Sequence, residues 1–281
     1  MTGVVVADLG RAGLGNLLFP WLRSAEISYQ SGRTLLPPRW MQLRLGPSIR
    51  READRREYFR LFPRPPFDIA RARNRAIAGA RADPEPADWR HFAGEVLVTR
   101  GMRDHFHSFE LPWDWHRAFL LDAVRPGVVS PGIRTSYLAM HIRLGDFRPP
   151  ESGVQRLAAD NTSTSISWFL EQLRSIRASF PDLRCVVASD GSDDQLAPIL
   201  EEPNVDRSPG RNAIDDLLVL ASSAGLVGSR STFSAWGAFL GDAPMLVQEG
   251  GNRYTPNEKV FETSNRAPEE FLRLVRQRVE R

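Results

Sequence analysis

Lysine is nearly missing from this sequence: Lys259 is the only one among 37 basic residues. Cysteine is as scarce, with Cys185 alone. A single cysteine excludes an internal disulfide framework. Its place in the apolar run RCVVAS reads as a small buried hydrophobe rather than a nucleophile. The expectation that follows is a reducing, cytoplasmic setting, in which the sequon Asn161-Thr162-Ser163 carries no glycan. No run of eighteen apolar residues occurs, so there is no candidate membrane span. The first residues, MTGVVVADLG, lack a basic segment followed by an apolar one, and no secretory signal is read there.

The plain explanation of the arginine bias is genome composition. Net charge is only +3, and the arginines are scattered among acids rather than gathered in a stripe. That argues against nucleic acid as a partner. Guanidinium forks do suit a phosphate-bearing ligand, because their geometry matches oxyanions.

What is present is an ordinary globular composition, 42% hydrophobic and 25% charged over 281 residues, long enough for two domains. Val4-Val5-Val6-Ala7 reads as a buried parallel strand, followed by the glycine-rich turn GRAGLGN at 10–16 and a helix over 17–30. Pro20 would then fall in the first turn of that helix, where proline is tolerated. With a second strand at Thr34-Leu35-Leu36 this forms a βαβ unit. Residues 41–90 are the least legible. A strand is expected at Val96-Leu97-Val98, with helices around 103–110 and 114–124. Pro126, Gly127, Pro131 and Gly132 then punctuate the chain, which places a boundary between domains of 1–128 and 129–281.

The second half alternates more cleanly. Strands are expected at 137–142, 185–188, 225–227 and 245–247, and helices at 165–179, 194–200, 213–221, 232–240 and 268–279. That alternation predicts an α/β fold with a helix-flanked parallel sheet. Ligands of such sheets sit beyond the carboxyl ends of the strands.

Three segments carry chemistry. In GRAGLGN the glycines let backbone amides approach a phosphate beside a helix start, although the spacing is neither the dinucleotide fingerprint nor a P-loop. In Ala139–Phe147, period-two alternation puts His141 and Arg143 on one face at a strand's end, where they suit an anion. Asp146 could orient Arg143 or take a proton. In Gly228–Phe239, hydroxyls crowd a helix start: one is an N-cap, but Ser229, Ser231, Thr232 and Ser234 exceed what capping needs. Between these lies Ser189-Asp190-Gly191-Ser192, where a carboxylate can accept from the N1–H and amino group of guanine. The run Trp113-Asp114-Trp115-His116 is either core or a platform for a sugar ring.

In this order the segments resemble the α1,2-fucosyltransferases. GLGN at 13–16, GMRDHFHSF at 101–109, HIRLGDF at 141–147, VASD at 187–190 and DLLVLASSAGLVGSRSTFSAWGAFL at 216–240 each match a motif of that family. The resemblance implies two Rossmann-like domains facing a cleft, the GT-B-type architecture, with an acceptor-side N-terminal domain and a nucleotide-sugar-binding C-terminal one. The last helix is a candidate to pack back on the first domain. It further implies GDP-β-L-fucose as donor, a carbohydrate acceptor, an inverting displacement and no obligatory metal or other cofactor. Arg143 would hold the pyrophosphate with His141 beside it. Ser231, Thr232 and Phe233 would contact phosphate and nucleotide, Asp190 would read guanine, and Gly15 and Asn16 would approach the donor from the other domain. Arg143 and Asp146 are the catalytic candidates, Asp146 as a base for the acceptor hydroxyl.

Four positions depart from the family pattern. Leu17 stands for a glutamine, Leu144 for a second arginine, Gly191 for a second acid and Ala235 for a tryptophan. They bear on the donor sugar and linkage more than on the fold. Two other readings therefore stand: transfer of a different sugar from a nucleotide donor, or a non-catalytic nucleotide-sugar or glycan binder. A metal-dependent transferase would need an Asp-x-Asp site, and no such triplet occurs.

Overall fold

The computed structural model describes residues 3–40, 58–80, 85–86, 88–130, 132–133, 136–144, 163–250 and 254–280. Described residues up to Pro126 form one compact unit, and those from Gly127 onward form a second.

The first unit is built on a parallel sheet ordered β2-β1-β3, from Val4–Asp8 (β1), Thr34–Leu36 (β2) and Val96–Arg100 (β3). Helix α1, Leu14–Ser31, makes the β1-to-β2 crossover and ends on Gly32, whose left-handed backbone (φ 69°) suits a residue without Cβ. The helix starts three residues earlier than its apolar spacing suggests. Pro20 therefore lies inside it rather than in its first turn, and has no N–H to give to the carbonyl four residues back. Helix α2, Phe67–Gly79, was not visible in the arginine- and alanine-rich stretch. Its Ile69, Ala76 and Ile77 pack on Val6, Leu36 and Val98 of the sheet. The helix expected around 103–110 is only a short 3-10 turn, His105–Ser108. Helix α3, Trp113–Ala123, follows.

Two polar pairs lie in the interior of this unit. Arg23 of α1 pairs with Glu85 at 3.0 Å, and Glu26 meets His116 Nε2 at 3.0 Å while accepting the amides of Glu110 and Leu111. Trp115 stacks on Phe119 at 5.5 Å. His116 is fully buried. Of the run Trp113-Asp114-Trp115-His116 only His116 is core; Trp113 and Trp115 are half-buried and Asp114 is exposed.

The second unit is a six-stranded, all-parallel sheet ordered β6-β5-β4-β7-β8-β9. Its strands are Tyr137–Ile142 (β4), Arg184–Ser189 (β5), Val205–Arg207 (β6), Gly225–Gly228 (β7), Met245–Gln248 (β8) and Val260–Thr263 (β9). The chain runs outward from β4 to β6, then returns to the other side of β4 and runs outward again. This is the doubly wound Rossmann order, with its switch point between β4 and β7. The edge strands β6 and β9 are short and weakly apolar, and alternation does not reveal them.

Side-chain alternation along β4 assigns the two faces. Leu138, Met140 and Ile142 point to α4 (Ile166–Arg177), α5 (Asp193–Leu200) and α8 (Glu269–Val279). Tyr137 and Ala139 point to α6 (Ala213–Ala221) and α7 (Thr232–Gly241). Each large side chain buried here contributes about 2 kcal/mol. Helix α8 places Phe271, Leu272 and Val275 in the core of this sheet. Val275 closes over Gly225 of β7. Helix α7 ends on Asp242, in a left-handed conformation, whose carboxylate pairs with Lys259 at 2.5 Å. A chain with two such α/β units has the components of a GT-B-type architecture.

Helices α6 and α7 approach so closely that glycine is obligatory. A Cβ on Gly241 would lie 1.8 Å from the Ala221 carbonyl oxygen, and one on Gly237 would lie 2.5 Å from Leu220 Cβ. Backbone cannot yield as a flexible side chain can. Gly241→Ala is expected to lower unfolding free energy by about 3 kcal/mol, read from urea denaturation. A variant as stable as the wild type would show that the two helices do not pack in this way.

Candidate functional site

The candidate site lies at the carboxyl ends of β4 and β7, the switch point of the second unit. Three serines tie the strand ends together before any ligand is considered. Ser229, the residue after β7, donates its N–H to the His141 carbonyl at 2.8 Å, and its Oγ accepts the Arg143 amide at 2.9 Å. Ser189 Oγ, at the end of β5, donates to the Ile142 carbonyl at 2.6 Å and accepts the Gly191 amide at 3.0 Å. Ser231 caps α7, accepting the Ser234 amide at 3.2 Å.

Arg143 and Asp190 meet within this frame. The guanidinium Nη1 stands 2.8 Å from Asp190 Oδ2, and Oδ1 accepts the Leu144 amide at 2.8 Å. The chain leaving β4 thus wraps around one carboxylate. The backbone on either side of Asp190 is held as well: Arg207 on β6 donates to the carbonyls of Ser189 and Gly191 at 3.1 and 2.7 Å, and pairs with Asp193 at 2.6 Å. Arg207 was not among the sequence candidates, because its role depends on an edge strand that the pattern conceals.

His141 is buried, and its Nδ1 lies 2.6 Å from Ser234 Oγ and 3.4 Å from Ser231 Oγ. Phe233 lies against the ring, with centroids 5.0 Å apart. Gly228 makes room for Ser234, since a Cβ there would come within 2.9 Å of Ser234 Cβ. Burial pushes the imidazole down to about 4; Asp190 opposes that shift and Arg143 adds to it. The ring is therefore neutral near pH 7. An anion bound here would owe its neutralisation to Arg143 and to the amides at the start of α7, and not to His141.

Six of the sequence candidates come together in this unit: His141, Arg143, Asp190, Ser231, Thr232 and Phe233. Gly15 and Asn16 lie in the other unit, in the first turn of α1 beyond β1. Neither Gly10 nor Gly13 of that loop has a positive φ, and a Cβ on either would meet nothing within 4 Å. The internal packing does not demand glycine at those two positions. Asp146 lies outside the described residues. Leu144 packs over Gly191, where a Cβ would come within 2.6 Å of Leu144 Cδ1. Two of the four departures from the fucosyltransferase pattern, Leu144 and Gly191, are thus neighbours, a methyl beside a glycine where that pattern has an arginine and an acid. Cys185 is buried in β5 and its thiol is pushed up to about 12 by burial, so it is no nucleophile. Among the described residues no helix is long and apolar enough to cross a membrane.

No protein-family model matches the chain, and no curated protein sequence matches it. Among solved structures, it is similar to the α-1,6-fucosyltransferase NodZ of Bradyrhizobium soaked with GDP-fucose, at 12% identity and TM-score 0.47, over 88% of this chain and 95% of that one. It is also similar to POFUT1 in complex with GDP-fucose, at 13% identity and TM-score 0.49, over 94% and 98% of the two chains. The calicheamicin glycosyltransferase CalG4 is more distant, at 13% identity and TM-score 0.33 over 99% of this chain and 68% of that one. Identities this low describe chain path and not chemistry.

The neutral His141 makes stability depend on pH. An unfolded histidine titrates near 6.5, so between about pH 6.5 and 4 the unfolded chain binds a proton that the folded one does not. The contribution from burying a neutral ring is whole above that window and is lost as pH falls through it, about 3 kcal/mol in all. Urea denaturation at pH 7 and pH 4.5 is expected to show a steeper fall for the wild type than for His141→Asn. Parallel curves would remove His141 as the cause.

Proposed function

We propose that this chain is an inverting glycosyltransferase that uses a GDP-linked sugar, and that it moves L-fucose from GDP-β-L-fucose to a glycan hydroxyl. One observation carries the reading: an arginine held by a carboxylate at the switch point of a parallel sheet, beside the capped start of α7. The motifs GLGN, HIRLGDF, VASD and STFSAWGA, in register with the α1,2-fucosyltransferases, support it and supply the donor. The lone buried Cys185 supports a cytoplasmic setting.

In the proposed reaction the acceptor oxygen attacks the anomeric carbon, and the bond from that carbon to the diphosphate oxygen breaks. The electron pair leaves with GDP, and the acceptor proton passes to a base, for which Asp146 is the candidate. Charge grows on the diphosphate as the bond breaks, so Arg143 and the α7 amides act where charge develops. In this reading these groups neutralise the diphosphate and no bridging cation is required. As Arg143 turns toward the diphosphate it releases Asp190 Oδ2, which then accepts from the guanine edge. Donor binding in this reading exchanges one internal ion pair for two contacts with ligand. The uncharged Leu144–Gly191 contact favours a second reading, in which the same site accepts a different sugar on GDP.

Two measurements test the proposal. GDP is expected to raise the melting temperature more than UDP or ADP, with the preference lost in Asp190→Ala at a cost of about 1–3 kcal/mol. Equal stabilisation by all three would overturn the guanine assignment. Arg143→Lys keeps the charge but loses the planar fork. It is expected to lower kcat about a hundredfold while raising the donor KM less, because the diphosphate is more charged in the transition state than in the bound donor. Near-wild-type turnover in a folded Arg143→Ala variant would separate this arginine from the chemistry.

A further inference from the structure

The first unit contains a cavity of about 640 Å³ that the donor reading does not use. Its floor is aromatic. Trp40 and Phe62 are stacked, centroids 4.1 Å apart at 20°, and both are buried, while Phe59 stands beside them. One wall is a single face of α2: Phe67, Ala70, Arg71, Asn74, Arg75 and Ala78 follow at helical spacing, whereas Ile69, Ala76 and Ile77 are turned to the sheet. That volume is in the range of small-molecule sites.

Three features of this wall go against internal stability. Phe67 is 83% exposed although it is a large hydrophobe. Arg71 and Arg75, one turn apart on the same face, repel each other. Among the described residues no carboxylate pairs with Arg64, Arg71 or Arg75, in a protein whose other arginines are often paired. Arg39 and Arg64 stand at the same rim, and Arg64 lies over the Phe59 ring at 5.9 Å. An apolar floor within reach of several guanidinium groups is complementary to a molecule that is both flat and anionic. A neutral apolar ligand would leave Arg71 and Arg75 unmatched, and a bare anion would leave the aromatic floor wet.

We propose that this cavity is a binding site for an amphipathic anion, a ligand whose flat apolar body lies on Trp40, Phe59 and Phe62 while its carboxylate or phosphate is met by Arg71 and Arg75. The site stands independently of the donor, since none of its lining residues is among those assigned to the donor. Arg71 and Arg75 are exposed on a helix surface, so replacing them leaves the core alone.

The test is fluorescence titration with anilinonaphthalene sulfonate, an aromatic anion, beside the neutral N-phenylnaphthylamine. The anion is expected to saturate one site per chain and to weaken about ten- to a hundredfold in Arg71→Glu/Arg75→Glu, with Arg71→Gln/Arg75→Gln intermediate. The neutral probe is expected to bind more weakly and to be indifferent to the variants. Displacement by naphthoate or by naphthyl phosphate then tells which anion the arginines prefer. Stabilisation by GDP is expected to be the same in all variants, which separates this site from the donor site. Equal affinity of the anionic probe for wild type and variants, a neutral probe bound as tightly, or no displacement by either competitor would overturn the proposal.

Discussion

The second unit is organised around one ion pair, Arg143 with Asp190, at the point where a doubly wound sheet reverses direction. Neither partner is in open water, with side chains 20% and 8% exposed. Removing one would strand the other in a poorly solvated place, the expensive way to break such a pair. The pair also sets a local charge balance of zero, because the neighbouring His141 is neutral. An incoming anion must therefore compete with Asp190 for the guanidinium. Simple anions gain little from that exchange, whereas a ligand that also satisfies the carboxylate gains from both ends. Under the proposed function, selectivity for a two-ended ligand would follow from this resting state.

The frame around this pair is made of hydroxyls and glycines, which are the residues that let backbone segments crowd together. Ser229, Ser189 and Ser231 each join a strand end or helix start to its neighbour. Gly228, Gly237 and Gly241 remove the Cβ atoms that would hold α7 away from β7 and α6. This explains why more hydroxyls gather after β7 than capping alone requires: Ser229 joins two strands, Ser231 caps, and Ser234 holds His141. The first unit follows a different plan, with ion pairs and aromatic rings inside it and arginines along the outer face of α2.

Much of this was legible in the sequence because apolar alternation is strong where a strand is covered on both faces. The central strands β4, β5, β7 and β8 and the helices α4 to α8 were read within a residue or two for that reason. The edge strands β6 and β9 were invisible: Val205-Asp206-Arg207 has one apolar side chain, and its pairing depends on a neighbour far away in the chain. The start of α1 was misplaced because Gly13 caps it with no side chain, and α2 was hidden because its outer face is arginine and its inner face mostly alanine and isoleucine. At the site, residue types and strand ends were readable, but partners were not. That Asp190 holds Arg143, and that Arg207 steadies the Asp190 loop, depends on contacts 47 and 16 or more positions apart, counted from the bonds Arg143–Asp190 and Gly191–Arg207.

The burial of Cys185 has a practical consequence. A single thiol shut inside β5, and pushed to about 12, is inert to maleimide and iodoacetamide reagents near neutral pH. The protein is in effect cysteine-free for labelling, with no background to remove. A cysteine introduced at any exposed position would carry a fluorophore or spin label by itself. A pair, one in each unit, would turn resonance energy transfer or dipolar spectroscopy into a direct ruler for the distance between the two α/β units with and without added GDP.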